Sequence, residues 1–541
     1  MRGEPKMSQE QPPERFQLSR KQVILGLVAV FAVFGAMNYF VQTLNIARPR
    51  MAADLDGMSL YSYSISVPAL AAAFVTLIFG KFSDVYGRRI MLLVSLGFFL
   101  VGVVLSGLSQ SFIFFIAATS VARVGSSAVM MLGYSVLGDM YQPAERSKWV
   151  GLLNIPAGTF ALFGPTLGGW MVDNLSWRYI FWMSTPLLVI CVFLVHIGVP
   201  CLVKRVAHKI DVRGCILVAV AASTMILGLS FAGSTYPWAS KQVVGLLGVS
   251  LVFWILFLRT EARAREPILD PQVLRNRTFM TVAVATLLLI FAQIAMMMYF
   301  PMFLQGVQSI SATRSGQIIT PFSVLFSFMG VPAGFLLART KRYKWIYIVS
   351  FSILAADMIG LIFFTAGTPI LWSVLAATMA GLGLGTIPTV NTMVVQNSVP
   401  KRLLGVVMGA IFFAVSIGGA LAPALLGSAM NAAYAKKLAT SLPEELRGAV
   451  DEATIDSIGN SRVLLSKPAM AALEETFNKM GGDGPRLFQK TVQAIHISME
   501  AALRSIFWMA AIATVISLLL ICTVPEISLE KELPDKTGVA S

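Results

Sequence analysis

Gly80-Lys81-Phe82-Ser83-Asp84-Val85-Tyr86-Gly87-Arg88-Arg89 is a charged, glycine-flanked stretch set between two long apolar runs. An acid and three cations this close to hydrocarbon are costly unless they pair. Glycine lets backbones turn tightly and approach closely. The stretch therefore reads as a short polar latch joining two membrane helices on one side of a bilayer.

The composition agrees. The 541 residues are 56% hydrophobic and only 13% charged, where a soluble domain carries about 25% charged residues. This pattern is that of a polytopic membrane protein. A net charge of +15 could suggest nucleic acid, but the basic residues sit in alternate short loops, which favours a positive-inside bias and no nucleic-acid partner. Cys191, Cys201, Cys215 and Cys522 lie in or beside apolar segments without ligand spacing, so neither structural disulfides nor a metal site is expected, and no cofactor is implied. The polar stretch from Met1 to about Lys21 precedes a full-length apolar segment and reads as a cytoplasmic tail.

A span needs about 20 apolar residues, and on that measure there are about 14 segments. They run near 22–46, 58–80, 90–109, 111–138, 150–172, 179–200, 211–232, 242–259, 279–303, 315–338, 345–366, 369–395, 404–429 and 502–523. With the N-terminus inside, the inward loops hold Lys81/Arg88/Arg89, Arg146/Lys148, Lys204/Arg205/Lys209, Arg259 to Arg277, Arg339 to Lys344 and Lys401/Arg402, while the short outward loops hold little. An even number of spans keeps this alternation and returns the C-terminus inside.

The expected organisation is a tail at 1–21, a first six-helix bundle at 22–200, two inserted helices at 201–260 and a basic amphipathic linker at 261–278 on the inner membrane surface. A second bundle follows at 279–430, then a polar outward segment at 431–500, a last span at 501–524 and a tail at 525–541. Residues 431–500 read as a small helical external subdomain, able to serve as a spacer or to bind an accessory protein. Both halves carry a glycine-containing inward loop after their second span, Gly80–Arg89 and Gly334–Lys344, which looks like a decayed internal repeat with Ala338 at the acid position.

Several motifs carry a resemblance. The decapeptide resembles the loop between the second and third spans of major facilitator superfamily transporters, G-x-L-A-D-R-x-G-R-K, matching at Gly80, Asp84, Gly87, Arg88 and Arg89. Gly164-Pro165-Thr166-Leu167-Gly168-Gly169, with Gly151 upstream and Phe160 in place of a further glycine, resembles that superfamily's antiporter motif. Trp177, Arg178, Tyr179, Ile180, Phe181 and Pro186 resemble the signature that opens span 6 in its 14-span drug:proton antiporters, with Ser184 replacing an asparagine. The resemblance covers nearly the whole chain except 431–500. It implies an all-α fold of two six-helix bundles plus two extra helices. It also implies multidrug efflux driven by proton exchange, with alternating access to a midplane site.

The resemblance also implies roles. Asp84 and Arg88 would pair with Asp139 at the inner end of span 4 in a charge relay that locks the two halves, where plain topological anchoring is the alternative. Arg123 corresponds to an arginine that takes part in proton transfer; an unpaired cation in mid-span must face a cavity or a partner. Pro165 should kink span 5. Span 1 departs from the pattern: Phe40 takes the position of the family's acid and Gln42 that of a threonine, leaving Asn38, Tyr39, Gln42 and Asn45 as neutral cavity candidates.

Further candidates for the cavity wall are Asn154, Gln293, Met297, Tyr299, Gln305, Asn391 and Gln396. Asp357 is the one carboxylate deep in the second half, open to a coupling role or to a local buried one. The expected partners are small-molecule substrate, protons and the lipid bilayer, in a plasma membrane with both termini cytoplasmic. A symporter or facilitator for an organic solute or lipid is the alternative, favoured by the missing span-1 acid. A membrane-embedded enzyme or receptor is remote: H-E-x-x-H, GxSxG and paired-carboxylate motifs are all absent from the sequence.

Overall fold

Hydrocarbon offers no water to a peptide group, so apolar runs crossing it must close their own hydrogen bonds as helices. The computed structural model describes residues 20–55, 63–73, 75–141, 143–199, 212–232, 236–261, 271–310, 312–400, 403–442, 467–478 and 484–526, with no β-strand among them. The first half comprises α1 (Arg20–Asp54), α2 (Tyr63–Ala73), α3 (Val75–Tyr86), α4 (Arg88–Gly107), α5 (Phe112–Met140), α6 (Pro143–Leu152), α7 (Asn154–Asn174) and α8 (Arg178–Gly198). Next come α9 (Val212–Phe231), α10 (Lys241–Glu261) and the short α11 (Pro271–Arg275). The second half comprises α12 (Arg277–Ile294), a π-helical turn (Ala295–Tyr299), α13 (Phe300–Gly306), α14 (Ala312–Phe328), α15 (Gly330–Thr340), α16 (Lys344–Leu361), α17 (Ile370–Asn397), α18 (Leu404–Ser441), α19 (Lys467–Asn478) and α20 (Gly484–Cys522).

Ten described helices are long and apolar enough to cross a membrane, or eleven if the bent pair Arg314–Phe328 and Gly330–Thr340 is one span. The other predicted segments fall on α2–α3, α6–α7 and the shorter apolar α9, so the arrangement is compatible with fourteen spans. Phe98, Ile190, Phe193, Leu251, Trp508 and Leu519 are exposed on the outside of the bundle, the apolar belt a lipid-facing surface needs. The predicted tail before residue 20, the loop at 201–211, half of the linker (262–270) and the end beyond 526 lie outside the described residues.

Within the first half α1 packs on α7 and α8, and α4 on α5 and α8; within the second, α12 packs on α18 and α20, α16 on α17 and α20, and α14 on α17. The inserted pair α9–α10 lies beside the seam between the halves. Its α9 touches both α2 and α18, Trp254 of α10 meets the ring of Phe413 at 5.7 Å, and Trp238 in the connecting turn donates to Ser428 Oγ at 2.6 Å.

Span 5 is broken near its start. The helix runs unbroken through Pro165, and the interruption falls at Leu153. Pro156 accounts for it: a proline has no N–H for the carbonyl four residues back and its ring clashes there. The same spacing recurs in the second half, where Pro332 follows the break between α14 and α15.

The boundaries expected for the outward segment also shift. α18 continues to Ser441, and α20 begins at Gly484, so both carry helix well past the predicted spans. Met430, Tyr434 and Leu438 of α18 and Ile495 and Met499 of α20 are buried in these extensions, and α19 adds Leu473 and Phe477, the latter 5.8 Å from the ring of Phe488. The described parts thus form a helical stalk continuous with the bundle; residues 443–466 lie outside the described set.

Candidate functional site: a clasped face and the cleft above it

Arg88, the first residue of α4, is buried between two acids. Its Nε donates to Asp139 Oδ2 at 2.8 Å, and its Nη1 pairs with Asp84 and donates to Ser83 Oγ. A guanidinium can bridge two carboxylates in this way because its donors fan out in a fixed plane. Gly87 makes the geometry attainable: its φ of 93° is one that L side chains rarely adopt, and it turns the chain directly from α3 into α4. Arg89, grouped by sequence with the latch, stands outside this cluster: its Nη2 lies 3.2 Å from His196 Nδ1, joining the first turn of α4 to the last turn of α8 within the same half.

Asp84 reaches across the seam. Its Oδ1 accepts from Gly405 N at 3.1 Å and its Oδ2 from Val406 N at 3.0 Å, at the first turn of α18. The first N–H groups of a helix have no partners within it and carry the positive end of its dipole, so a carboxylate there is held both by hydrogen bonds and by charge. The contact needs two glycines. A Cβ at Gly80 would lie 2.5 Å from Gly405 O, and one at Gly405 would lie 2.4 Å from Gly80 O.

The other half supplies a matching contact without the charge. Ser147 Oγ of α6 donates to Gly334 O at 3.1 Å, and a Cβ on Gly151 would fall 2.5 Å from Gly330 O. Four residues beyond Gly334 stands Ala338, where the first copy has Asp84 four residues beyond Gly80. The repeat is therefore two-fold in packing and one-fold in charge. Arg146 Nη2 donates to Asn397 Oδ1 at 2.6 Å, Gln396 Nε2 to Tyr134 O at 3.1 Å, and Asn154 Nδ2 to Thr389 Oγ1 at 3.4 Å. All of these cross the seam on the latch face, which is closed.

Above that face, Tyr134 of α5 stacks on Phe412 of α18 with ring centroids 5.9 Å apart, and Phe34 of α1 meets Tyr134 edge-on at 5.2 Å. Arg123 lies eleven residues before Tyr134 on the same helix, which puts it on the same face within about 20° and about 16 Å farther from the latch. The opposite side of α5 is pressed on α4, where Gly125 leaves room for Phe99. Arg123 is solvent-exposed although it lies deep among protein atoms, the combination expected of a side chain lining an internal cleft.

The remaining candidates divide. Asn38 and Gln42 are half-buried on α1; Asn38 donates to Phe34 O at 2.9 Å, and Gln42 packs where Gly164 of α7 leaves space. Gly168 likewise lets α7 close on Thr43, so these antiporter-motif glycines pack span 5 against span 1. Gly169 is half-buried on the same helix, while the side chains of Pro165 and Asn45 lie outside the described ones. Gln293 and Met297 lie together at the π-helical turn, Nε2 to Sδ 3.8 Å, with Met297 exposed.

Three expected cavity residues point elsewhere. Tyr39 is buried, its hydroxyl 3.7 Å from Met171 Sδ. Tyr299 is buried, its hydroxyl near Gly427. Asn391 is buried in the second half, donating to Thr286 Oγ1 at 2.9 Å and accepting from the Tyr347 hydroxyl. In each case an amphipathic residue has found a partner inside a half, which the sequence pattern could not distinguish from facing a cleft.

Phe40, at the family's acid position, is buried with its ring 5.2 Å from that of Phe99 and 5.9 Å from that of Phe181. Trp177 belongs to the same aromatic cluster and is buried, and Arg178 stacks on it at 4.2 Å while donating to Ser109 O. Asp357 is buried in α16, and its Oδ2 has no hydrogen-bond partner among the described residues. That helix packs on α17 and α20, away from the seam.

Sequence reasoning missed Tyr134, Phe412, Arg146 and Asn397. Only the eleven-residue spacing from Arg123 could have pointed to Tyr134.

Comparison with known proteins fits this architecture. Residues 25–423 match the family model of the Major Facilitator Superfamily. Multidrug transporter protein MdtP of Bacillus subtilis (strain 168) is 28% identical over 416 residues, covering 77% of this chain and 76% of that one. Multidrug resistance protein 3 of the same organism is 27% identical over 444 residues, covering 82% and 86%. Among solved structures, the proton:xylose symporter XylE bound to 6-bromo-6-deoxy-D-glucose superposes with a TM-score of 0.55 at 12% identity, covering 94% of this chain and 98% of that one, a likeness of fold. With the two halves, the clasped face and the family match in agreement, the chain is a membrane transporter, not an enzyme, and belongs to the Major Facilitator Superfamily.

Proposed function

We propose that this transporter exports hydrophobic or amphiphilic small molecules across the plasma membrane by proton-coupled antiport with alternating access. The observation that carries the reading is the clasp: one buried arginine ties Asp84 and Asp139 together while Asp84 holds the first turn of the opposite half. The excess of basic residues on the latch face supports a cytoplasmic position for it, with both termini on that side and the cleft open outward in this state. Protonating Asp84 would remove its charge from the start of α18 and weaken the hold, letting the halves rock to the inward-open state. The interior groups proposed to couple to that switch are Arg123 and Asp357. The relatives named as multidrug transporters support efflux as the direction.

The test is transport of fluorescent amphiphilic dyes by the purified protein in vesicles under an imposed pH gradient. Exchange moves dye against the protons, and Asp84→Asn and Arg123→Ala slow it; if both variants transport as well as the wild type, the proposed coupling fails. A second reading, symport or facilitated transport of an organic solute or lipid, is favoured by Phe40, which leaves span 1 without an acid. Under that reading the dye moves with the protons or ignores them. The stalk is a candidate site for an accessory protein at the outer face, to be tested by shortening it and assaying transport.

A further inference from the structure

The helices that meet across the seam are α2, α3, α5, α6 and α7 in one half and α14, α15, α17 and α18 in the other. The apolar stretches of these helices and of α1 and α12 are residues 22–46, 63–80, 112–138, 150–172, 278–306, 315–338, 370–397 and 404–429 of the sequence. Those residues include Arg123 and no other Arg, and no Asp, Glu, Lys or His. The cleft between latch and outer rim thus holds one cation and no acid to balance it.

Nothing among the described residues pairs with the Arg123 guanidinium; only its backbone carbonyl is engaged, accepting from Ser126 Oγ. The nearest thing to an expected counter-charge, the span-1 acid, is Phe40, sealed in an aromatic cluster. Asp357 sits in a helix packed away from the seam. A cation in a low-dielectric cleft is unfavourable alone and attracts anions strongly. Its planar fork of donors suits a carboxylate, sulfonate or phosphate. Apolar, adaptable groups flank it: Met130 shares the face of Arg123, Phe412 lies below, and Gly419 opposes open space.

We infer that the cargo is an amphiphilic organic anion, seated with its charged group on Arg123 and its apolar body toward Met130 and Phe412. This rests on the export reading for its direction, but its charge preference can be tested without any gradient.

The experiment titrates the full-length protein in neutral-lipid nanodiscs with 8-anilino-1-naphthalenesulfonate and, separately, with the lipophilic cation rhodamine 6G, subtracting empty discs. The sulfonate should bind the wild type more tightly than the cation. Arg123→Gln should weaken the sulfonate about tenfold or more, the effect of losing a charge-assisted pair, and Arg123→Lys should retain most of the affinity. Unchanged melting and gel-filtration profiles establish that the variants fold; should Arg123→Gln not fold, the Arg123→Lys protein and competition of the wild type by unlabelled dodecyl sulfate against dodecyltrimethylammonium decide the same point. Tighter binding of the cation, or sulfonate binding indifferent to Arg123→Gln, overturns the inference. So does competition by chloride or inorganic phosphate as effective as by dodecyl sulfate, which would make Arg123 a small-ion site. If the sulfonate binds as expected but no dye moves against protons, the anion site stands and the antiport reading falls.

Discussion

Gly80→Ala should spring the closed face. The new Cβ would sit 2.5 Å from Gly405 O, 3.1 Å from Gly405 C and 3.5 Å from Gly409 Cα. Every one of those atoms is backbone, so no side chain can rotate aside. Restoring ordinary contact requires α3 and α18 to part by about 1 Å. That displacement also draws Asp84 from the N–H groups of Gly405 and Val406. Overpacking of this kind costs about 1–3 kcal/mol, which is about 5- to 150-fold in the ratio of closed to open latch. The assay is electron–electron double resonance between spin labels at Lys148 and Arg342, exposed positions on opposite halves, with the native cysteines replaced by serine. Gly80→Ala should enrich the longer distances. Gly97→Ala is the control, because its Cβ meets nothing within 4 Å. A distance distribution for Gly80→Ala that matches wild type and control would refute the claim that backbone contact between these helices keeps the face shut.

Arg88→Lys keeps the charge but loses the fork that spans Asp84 and Asp139; the clasp should weaken by about 1.5–3 kcal/mol, visible as the same lengthening in the spin-label experiment. Asn391→Ala strands the Tyr347 hydroxyl in the second half and should cost about 1–3 kcal/mol, read as a lower melting temperature with dye affinity unchanged. Gly87→Ala forces a side chain into a positive-φ, extended-ψ backbone that glycine alone adopts readily, at about 1–3 kcal/mol, lowering thermal stability where Gly97→Ala does not. Phe40→Asp, which installs the acid of the related antiporters, should destabilise the protein by placing a carboxyl among Phe99 and Phe181; a stable variant with stronger proton coupling would contradict the described packing.

Much of this was legible because the bilayer restricts the possibilities. Apolar length and loop charge located the helices and Gly80–Arg89 marked the latch, while its pairing with Asp139 was implied only by the family resemblance. What one chain segment meets in another could not be read the same way. The docking of Asp84 on α18 depends on residues more than three hundred positions away, Gly405 and Val406, whose contribution is backbone N–H and leaves no side-chain signature. Pro165 drew attention as a breaker, yet Pro156 and Pro332 sit at the interruptions. Tyr39, Tyr299 and Asn391 have the composition of cavity residues and the geometry of core ones, and helical periodicity cannot tell a wet interior face from a dry one.

The stalk has a mechanical consequence. Because α18 and α20 pass without interruption from the bundle into the stalk, it is a lever arm bolted to the second half, and displacement along a lever grows with distance from the pivot. A tilt barely measurable at the clasp should sweep the tip near Leu438 and Phe488 through a much larger arc. A fluorophore there should report each turnover from the end of the bundle far from the clasp, and an antibody gripping it should stall the cycle without ever touching the cargo path.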